Sequence, residues 1–294
     1  MTEAANKNLA SGLLSGFLGM AGFSGTLAAT KVAVERITPL AITSGRIVIA
    51  AILSILTLAY IGKLRLPEKR FLLPILWMGI GLAVGFPFFV ALALENAPAV
   101  HGAVAIGLAP VTTAIFAYFR LGERPPVVFW IACVIGFSSV SYYALDAGGG
   151  HLSLADGWLL IALLSVGWAY VEGGRVSSEL GGIVTLCWAM LLLTPVSVVV
   201  LIWSVQDLQL STITMGSWIG MVYLGVISMF LASVFWYRGL AVGGVARIGQ
   251  LNLLVPLLAL AWSALLLGEE ITGTAISCAV LVFIAMVFCL KSRF

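Results

Sequence analysis

Apolar residues run along this chain in stretches of about twenty, each closed by a charge, a proline or a glycine. A bilayer core about 30 Å thick takes about 20 helical residues to cross, so each stretch is long enough to be a transmembrane helix. The pattern predicts ten of them, at approximately 9–30, 41–61, 71–94, 100–119 and 127–144, then 154–173, 182–203, 217–237, 248–267 and 274–290. Asp146-Ala-Gly-Gly-Gly-His151 holds the one glycine run outside a predicted span and reads as a linker.

The second half of the chain repeats the first. From Val100 the chain reads VHGAVAIGLAPVTTAIFAYFRLGERPP and from Ala246 ARIGQLNLLVPLLALAWSALLLGEEIT. Pro110 precedes Gly122-Glu123 by twelve residues, as Pro256 precedes Gly268-Glu269. At the same offset of 146 residues Phe89 meets Phe235, Leu94 meets Leu240, Leu108 meets Leu254 and Val134 meets Val280 without a gap. The expected fold is therefore an all-α membrane protein of ten transmembrane helices in two five-helix repeats, 1–147 and 152–294, joined by residues 148–151. An odd number of spans per half sends the second repeat into the membrane upside down relative to the first, so the repeats are expected to be inverted.

Composition agrees with this picture and narrows it. Hydrophobic residues make up 62% of the 294 and charged ones 9%, too apolar a mixture for a wetted globule. The first run could be taken for a cleaved signal, given Ala28 and Ala29 near its end, but it is too long and Lys7 is its sole leading lysine or arginine, so it is expected to stay. Cys133, Cys187, Cys278 and Cys289 all lie inside apolar runs, without metal-like or redox-like spacing, and are expected to be buried structural residues. A net charge of +3 with no basic stripe gives nucleic acid nothing to bind. Charge matters through its placement: twelve of the fifteen lysines and arginines fall on the side shared by the two termini, against Lys31, Arg36 and Arg46 on the other. Both termini are thus expected in the cytoplasm of a bacterial-type inner membrane. The cluster Lys63, Arg65, Lys69 and Arg70 is expected to meet anionic lipid headgroups.

Candidate chemistry lies inside the spans. Pro110 and Pro256 cannot donate to the carbonyls of Ile106 and Asn252, leaving acceptors for protein, water or substrate. Gly16, Gly19, Gly22 and Gly25 recur every third residue in the first span, and Gly79, Gly81 and Gly85 precede Pro87 in the third; both rows read as close packing, as hinges, or as both. Phe23, Ser24, Phe86, Trp168, Tyr170, Trp236, Gln250 and Asn252 are the aromatic and polar residues expected to line a central cavity, with Trp188 a further intramembrane aromatic. His101, at the start of the fourth span, is a candidate substrate contact or a helix-end residue. Arg46 is expected to pair with backbone or with a loop acid such as Glu35, and Glu172 with Arg175 three residues on.

The twin motif, Pro110 with Leu121-Gly122-Glu123-Arg124 and Pro256 with Leu267-Gly268-Glu269, together with Pro39-Leu40-Ala41 ahead of Arg46, resembles the EamA-type permeases of the drug/metabolite transporter superfamily. The likeness covers nearly the whole chain. It departs at Ala21-Gly22-Phe23-Ser24-Gly25, where family members often carry a Trp-Gly-Ser-like patch. The resemblance implies a small-metabolite permease, frequently an exporter, with its substrate held between the repeats. A phosphorylated substrate would want several mid-depth cations and a small multidrug antiporter an acid in the first span, and this chain has neither. Neutral or zwitterionic metabolites, amino acids and aromatic ones among them, are the expected cargo, with no cofactor or metal and with a monomer as a sufficient unit. The competing readings are an exporter of other hydrophobic compounds and a membrane-embedded enzyme acting on lipid, for which His101 with Glu95 is the nearest approach to an acid/base pair.

Overall fold

The computed structural model of the protein describes residues 3–122, 127–147, 149–206, 208–243, 251 and 254–291. Among these residues there is helix and no strand. This is what hydrocarbon demands, because a helix satisfies its own backbone groups where no water can. In chain order the helices are α1 (Glu3–Ser24), α2 (Thr26–Val34), α3 (Pro39–Tyr60), α4 (Lys69–Gly79), α5 (Phe86–Asn96), α6 (Ala99–Ile106), α7 (Ala109–Leu121) and α8 (Val127–Ala147). The second half gives α9 (Leu154–Leu180), α10 (Gly182–Ser204), α11 (Met215–Val222), α12 (Ala232–Gly243), α13 (Val255–Leu267) and α14 (Gly273–Lys291). Seven continuous or nearly continuous helices are long and apolar enough to cross a bilayer; α6 with α7 forms a span bent by about 40°, and two shorter apolar helices occupy the ninth and tenth predicted positions.

Five of the spans are broken, widened or started on a proline. The first breaks at Gly25 between α1 and α2. In the fourth, α6 ends at Ile106 and α7 starts on Ala109-Pro110, where a proline N–H would have no helical partner in any case. The ninth starts α13 on Val255-Pro256 in the same manner. Between α4 and α5 the chain widens into a π-helix over Ile80–Gly85, with the Phe86 N–H donating to the Gly81 carbonyl; Pro87, just beyond, has no N–H to continue the α ladder. A second π segment, Tyr223–Leu231, joins α11 to α12, its last turn closed by Ala232 N–H to Ile227 C=O. Displaced by the repeat offset, Ile80–Gly85 lands within it, so the two halves share this irregularity although the second lacks a proline there.

Helix ends are closed by specific partners. Gly122 and Gly268 both adopt left-handed conformations (φ 69° and 65°) that stop α7 and α13 after equal lengths of thirteen residues, with their N–H groups donating to Tyr118 and Ala264. Glu269, next to the second of these glycines, accepts from the Ala99 and Val100 N–H groups at 2.7 and 2.8 Å and so caps α6. Lys31 donates to the Leu94 and Ala97 carbonyls at the end of α5. The counterpart of Glu269 in the first motif, Glu123, lies outside the described residues.

Packing follows the repeat. α1 lies along α12 and α5 along α9; α3 packs on α10, α6 on α13 and α8 on α14. Renaming each span by its counterpart five places along leaves this set of pairs unchanged. Glycine permits the two long approaches: a Cβ on Gly19 would sit 2.7 Å from the Trp236 nitrogen, and one on Gly85 2.7 Å from the Ser165 hydroxyl. The glycine rows of the first and third spans are therefore packing surfaces, and Gly25 alone among the first-span row stands at a break.

Candidate functional site

Where the broken first span, the π segment of the eighth and the two proline-started helices converge, the protein encloses a cavity of about 350 Å³. Both halves contribute. Phe23, Ser24, Thr26, Arg46 and Phe86 come from the first, and Tyr170, Ser228, Trp236, Tyr237 and Pro256 from the second. The break at Gly25 explains why α1 and α2 present consecutive side chains here: α1 ends on Phe23-Ser24 and α2 begins on Thr26-Leu27, all four on the cavity wall. A side chain at position 25 would run into the Tyr223 ring, whose hydroxyl donates to the Gly22 carbonyl at 2.9 Å and ties the break to the eighth span.

The wall is mostly aromatic and hydroxylic. Phe23 meets Trp236 edge to face with centroids 6.4 Å apart. Ser24 donates to the Ala21 carbonyl at 2.8 Å and accepts from the Trp262 indole at 2.9 Å, so its hydroxyl is already committed. Thr26 and Ser228 share a hydrogen bond of 2.7 Å across the two halves. Arg46, the one charged side chain on the wall among the described residues, is 4% exposed; its Nη2 donates to Ser228 Oγ at 3.4 Å. Glu35, the partner expected from the sequence, is exposed and makes no ion pair with Arg46. Thr26, Arg46, Ser228 and Tyr237 were not among the residues expected from the sequence. Only Arg46 offered a signal, as a cation one turn or two into an apolar span.

Of the residues expected on this wall, Phe23, Ser24, Phe86, Tyr170 and Trp236 are there, joined by the motif proline Pro256. Gln250 and Asn252 lie outside the described residues. Gly22 packs on Ala232 rather than facing the cavity, and Gly85 and Pro87 sit at the junction of the π segment with α5. Pro110 opens α7 as described, beside the cavity-lining Ala109. Trp168 lies elsewhere: it stacks edge to face on Phe116 and lines a groove between the third and sixth spans with Trp77 and Phe88.

His101 also lies elsewhere, in a separate pocket with Tyr143, Asp156 and Leu160. Its Nε2 meets Asp156 Oδ1 at 2.5 Å, and Glu95 makes no bond with it. Asp156 is fixed by the capping box of α9, in which its Oδ2 accepts from the Ser153 N–H and hydroxyl. The hydroxyl and the imidazole thus both bind the same carboxylate rather than each other, so the cluster joins the fourth span to the sixth without the Ser–His–Asp order of a nucleophilic triad. At the opposite end of α9, Glu172 is 1% exposed and held by Arg120 and Arg175 together; the sequence suggested Arg175 alone.

Seven apolar spans, a bent eighth and two shorter apolar helices, in two matched halves around a central cavity, are the arrangement of a two-repeat transporter. The chain belongs to the EamA-like transporter family, whose signature matches it twice, over residues 10–144 and 153–291. It is similar to "Uncharacterized transporter YdeK" of Bacillus subtilis (strain 168), 38% identical over 281 residues and 96% of each chain. A second relative, "Uncharacterized transporter sll0355" of Synechocystis sp. (strain ATCC 27184 / PCC 6803 / Kazusa), is 24% identical over 67% of each. A solved crystal structure 20% identical in sequence shares the fold, with a TM-score of 0.63 over 97% of this chain and 98% of that one.

Proposed function

We propose that this transporter moves small amphipathic metabolites, amino acids first and aromatic ones among them, by alternating access around the central cavity. The observation that carries the reading is the makeup of the wall: rings from both halves (Phe23, Phe86, Tyr170, Trp236), hydroxyls and, among the described residues, a single cation. Rings take an apolar side chain and hydroxyls an ammonium or amide, while one cation excludes neither a neutral nor a zwitterionic ligand. At about 350 Å³ the space stands at the small end of the roughly 300–1,000 Å³ usual for ligand sites, which suits a metabolite better than a bulky drug.

The halves are taken as inverted, 1–147 and 152–294, with both termini in the cytoplasm. Exchange of their conformations then carries the cavity from one face to the other. The breaks at Gly25, Gly107-Leu108 and Leu254-Val255, with the two π segments, are the points at which half-helices can tilt. Because the cavity wall carries no carboxylate among the described residues, transport is expected to proceed without a proton bound to a central acid. Counterflow of radiolabelled amino acids in proteoliposomes tests the cargo, and a pH gradient tests the coupling. Exchange of aromatic and branched amino acids with little response to the gradient is expected; absence of exchange with every amino acid would refute the cargo.

A further inference from the structure

We infer that Arg46 is a carboxylate-binding residue, and that the cavity selects solutes carrying a carboxylate and rejects organic cations of the same shape. The inference rests on the reading of the central cavity as the substrate site.

A guanidinium has five N–H donors and no acceptor. In this protein Nη2 has one long bond to Ser228, and Nε is buried without an acceptor among the described residues. The carboxylates that could have answered it are engaged or distant. Glu172 is bound by Arg120 and Arg175, Asp156 by His101 and Ser153, Glu269 by the α6 amides, and Glu35 is exposed. Elsewhere in the protein the buried or partly buried acids have been given partners, which makes the guanidinium the exception.

An arginine at such depth is costly, and structural needs do not explain it. The Thr26–Ser228 bond already joins the halves at this level. What Arg46 adds is a planar fork matched to a carboxylate, in a low-dielectric wall where such a pair is strongest. Ser228, bonded to both Thr26 and Arg46, holds the fork in place from the π segment of the eighth span. The repeat sharpens the point, because Leu192 stands at the offset of 146 from Arg46. With Arg46 the one cation on the wall among the described residues, a solute with one anionic end and one apolar end lies in the cavity in one sense: the carboxylate toward Arg46 and the side chain toward the rings.

Thermal unfolding of the purified protein in detergent, titrated with four probes, tests this. 3-Phenylpropionate offers ring and carboxylate, L-phenylalanine adds the amine, hexanoate keeps the carboxylate without a ring, and phenethylamine keeps ring and amine without a carboxylate. The three carboxylates are expected to raise the unfolding temperature and phenethylamine to have no effect at the same concentration. R46Q is expected to weaken carboxylate binding at least about tenfold, with R46K between the two and S228A a smaller loss. Because the wild-type comparison of probes needs no variant, a variant that unfolds does not remove the test. If phenethylamine binds as well as 3-phenylpropionate, or R46Q binds the carboxylates unchanged, the role of Arg46 is overturned and the ring-lined cavity stands. If none of the four binds, the cavity reading falls with it.

Discussion

Glu269 shows how a side chain in a motif acquires meaning only from its partner. In the chain it follows a helix-stopping glycine; in the fold its two oxygens hold the first two N–H groups of α6, 169 or more positions away. Loss of an N-terminal cap costs about 0.5–2 kcal/mol, and a charged acceptor places this one toward the upper part of that range. E269A is therefore expected to lower stability by about 1–2 kcal/mol, and E269Q, which keeps an acceptor, by less; denaturant unfolding followed by far-UV circular dichroism checks both. Glu172 is a different case, with two arginines sharing one buried carboxylate. Removing either leaves the other, so R120A and R175A singly are expected to be mild. The double variant leaves an unpaired buried charge and is expected to cost more than the sum of the two, by about 1–3 kcal/mol in a double-mutant cycle.

At the scale of elements, glycine decides which helices touch. The Gly19 Cα faces backbone atoms of α12, and a methyl there would meet the Trp236 nitrogen at 2.7 Å and the Ala232 carbonyl at 2.8 Å, neither of which can rotate away. G19A must separate α1 from α12 and is expected to destabilise by about 1–3 kcal/mol, the usual cost of overpacking. Gly157, with nothing within 4 Å of its virtual Cβ, is the control: G157A is expected to be neutral or to gain up to about 1 kcal/mol from helix propensity. Thermal unfolding of the pair separates packing glycines from incidental ones. Both rows of glycine were visible in the chain, as was their small size. Which helix each row meets was not, because a spacing of three names a face and leaves its partner open.

The whole molecule is governed by the exchange of its halves. Contacts α1 with α12 and α9 with α5 are counterparts, the π segments fall at matching positions, and the proline-started helices α7 and α13 have equal length and the same left-handed stop. If the halves are inverted, the basic side is the cytoplasmic one. In a cysteine-free background, K63C is expected to react with a membrane-impermeant maleimide only when the inner face is exposed, and E35C in intact cells. The reverse labelling pattern, or labelling of both positions from one face, would overturn the orientation.

Apolar run length alone determined the helical class and the positions of the apolar helices, because hydrocarbon tolerates no unpaired backbone and so turns length directly into architecture. The repeat, the proline starts and the glycine stops were likewise legible, being properties of identity and spacing. Five ring and hydroxyl positions on the cavity wall, Phe23, Ser24, Phe86, Tyr170 and Trp236, could be picked out as polar or aromatic residues with no good reason to face lipid. His101 and Trp168 met the same criterion yet stand away from the cavity, since the criterion says only that a side chain seeks protein and does not say which part. Only the tertiary structure decided that Arg46 stands beside Ser228 rather than Glu35, that Glu172 draws Arg120 across from α7, and that π segments widen two spans. Those outcomes depend on which faces of separate helices meet, a relation that no local pattern in a single helix encodes.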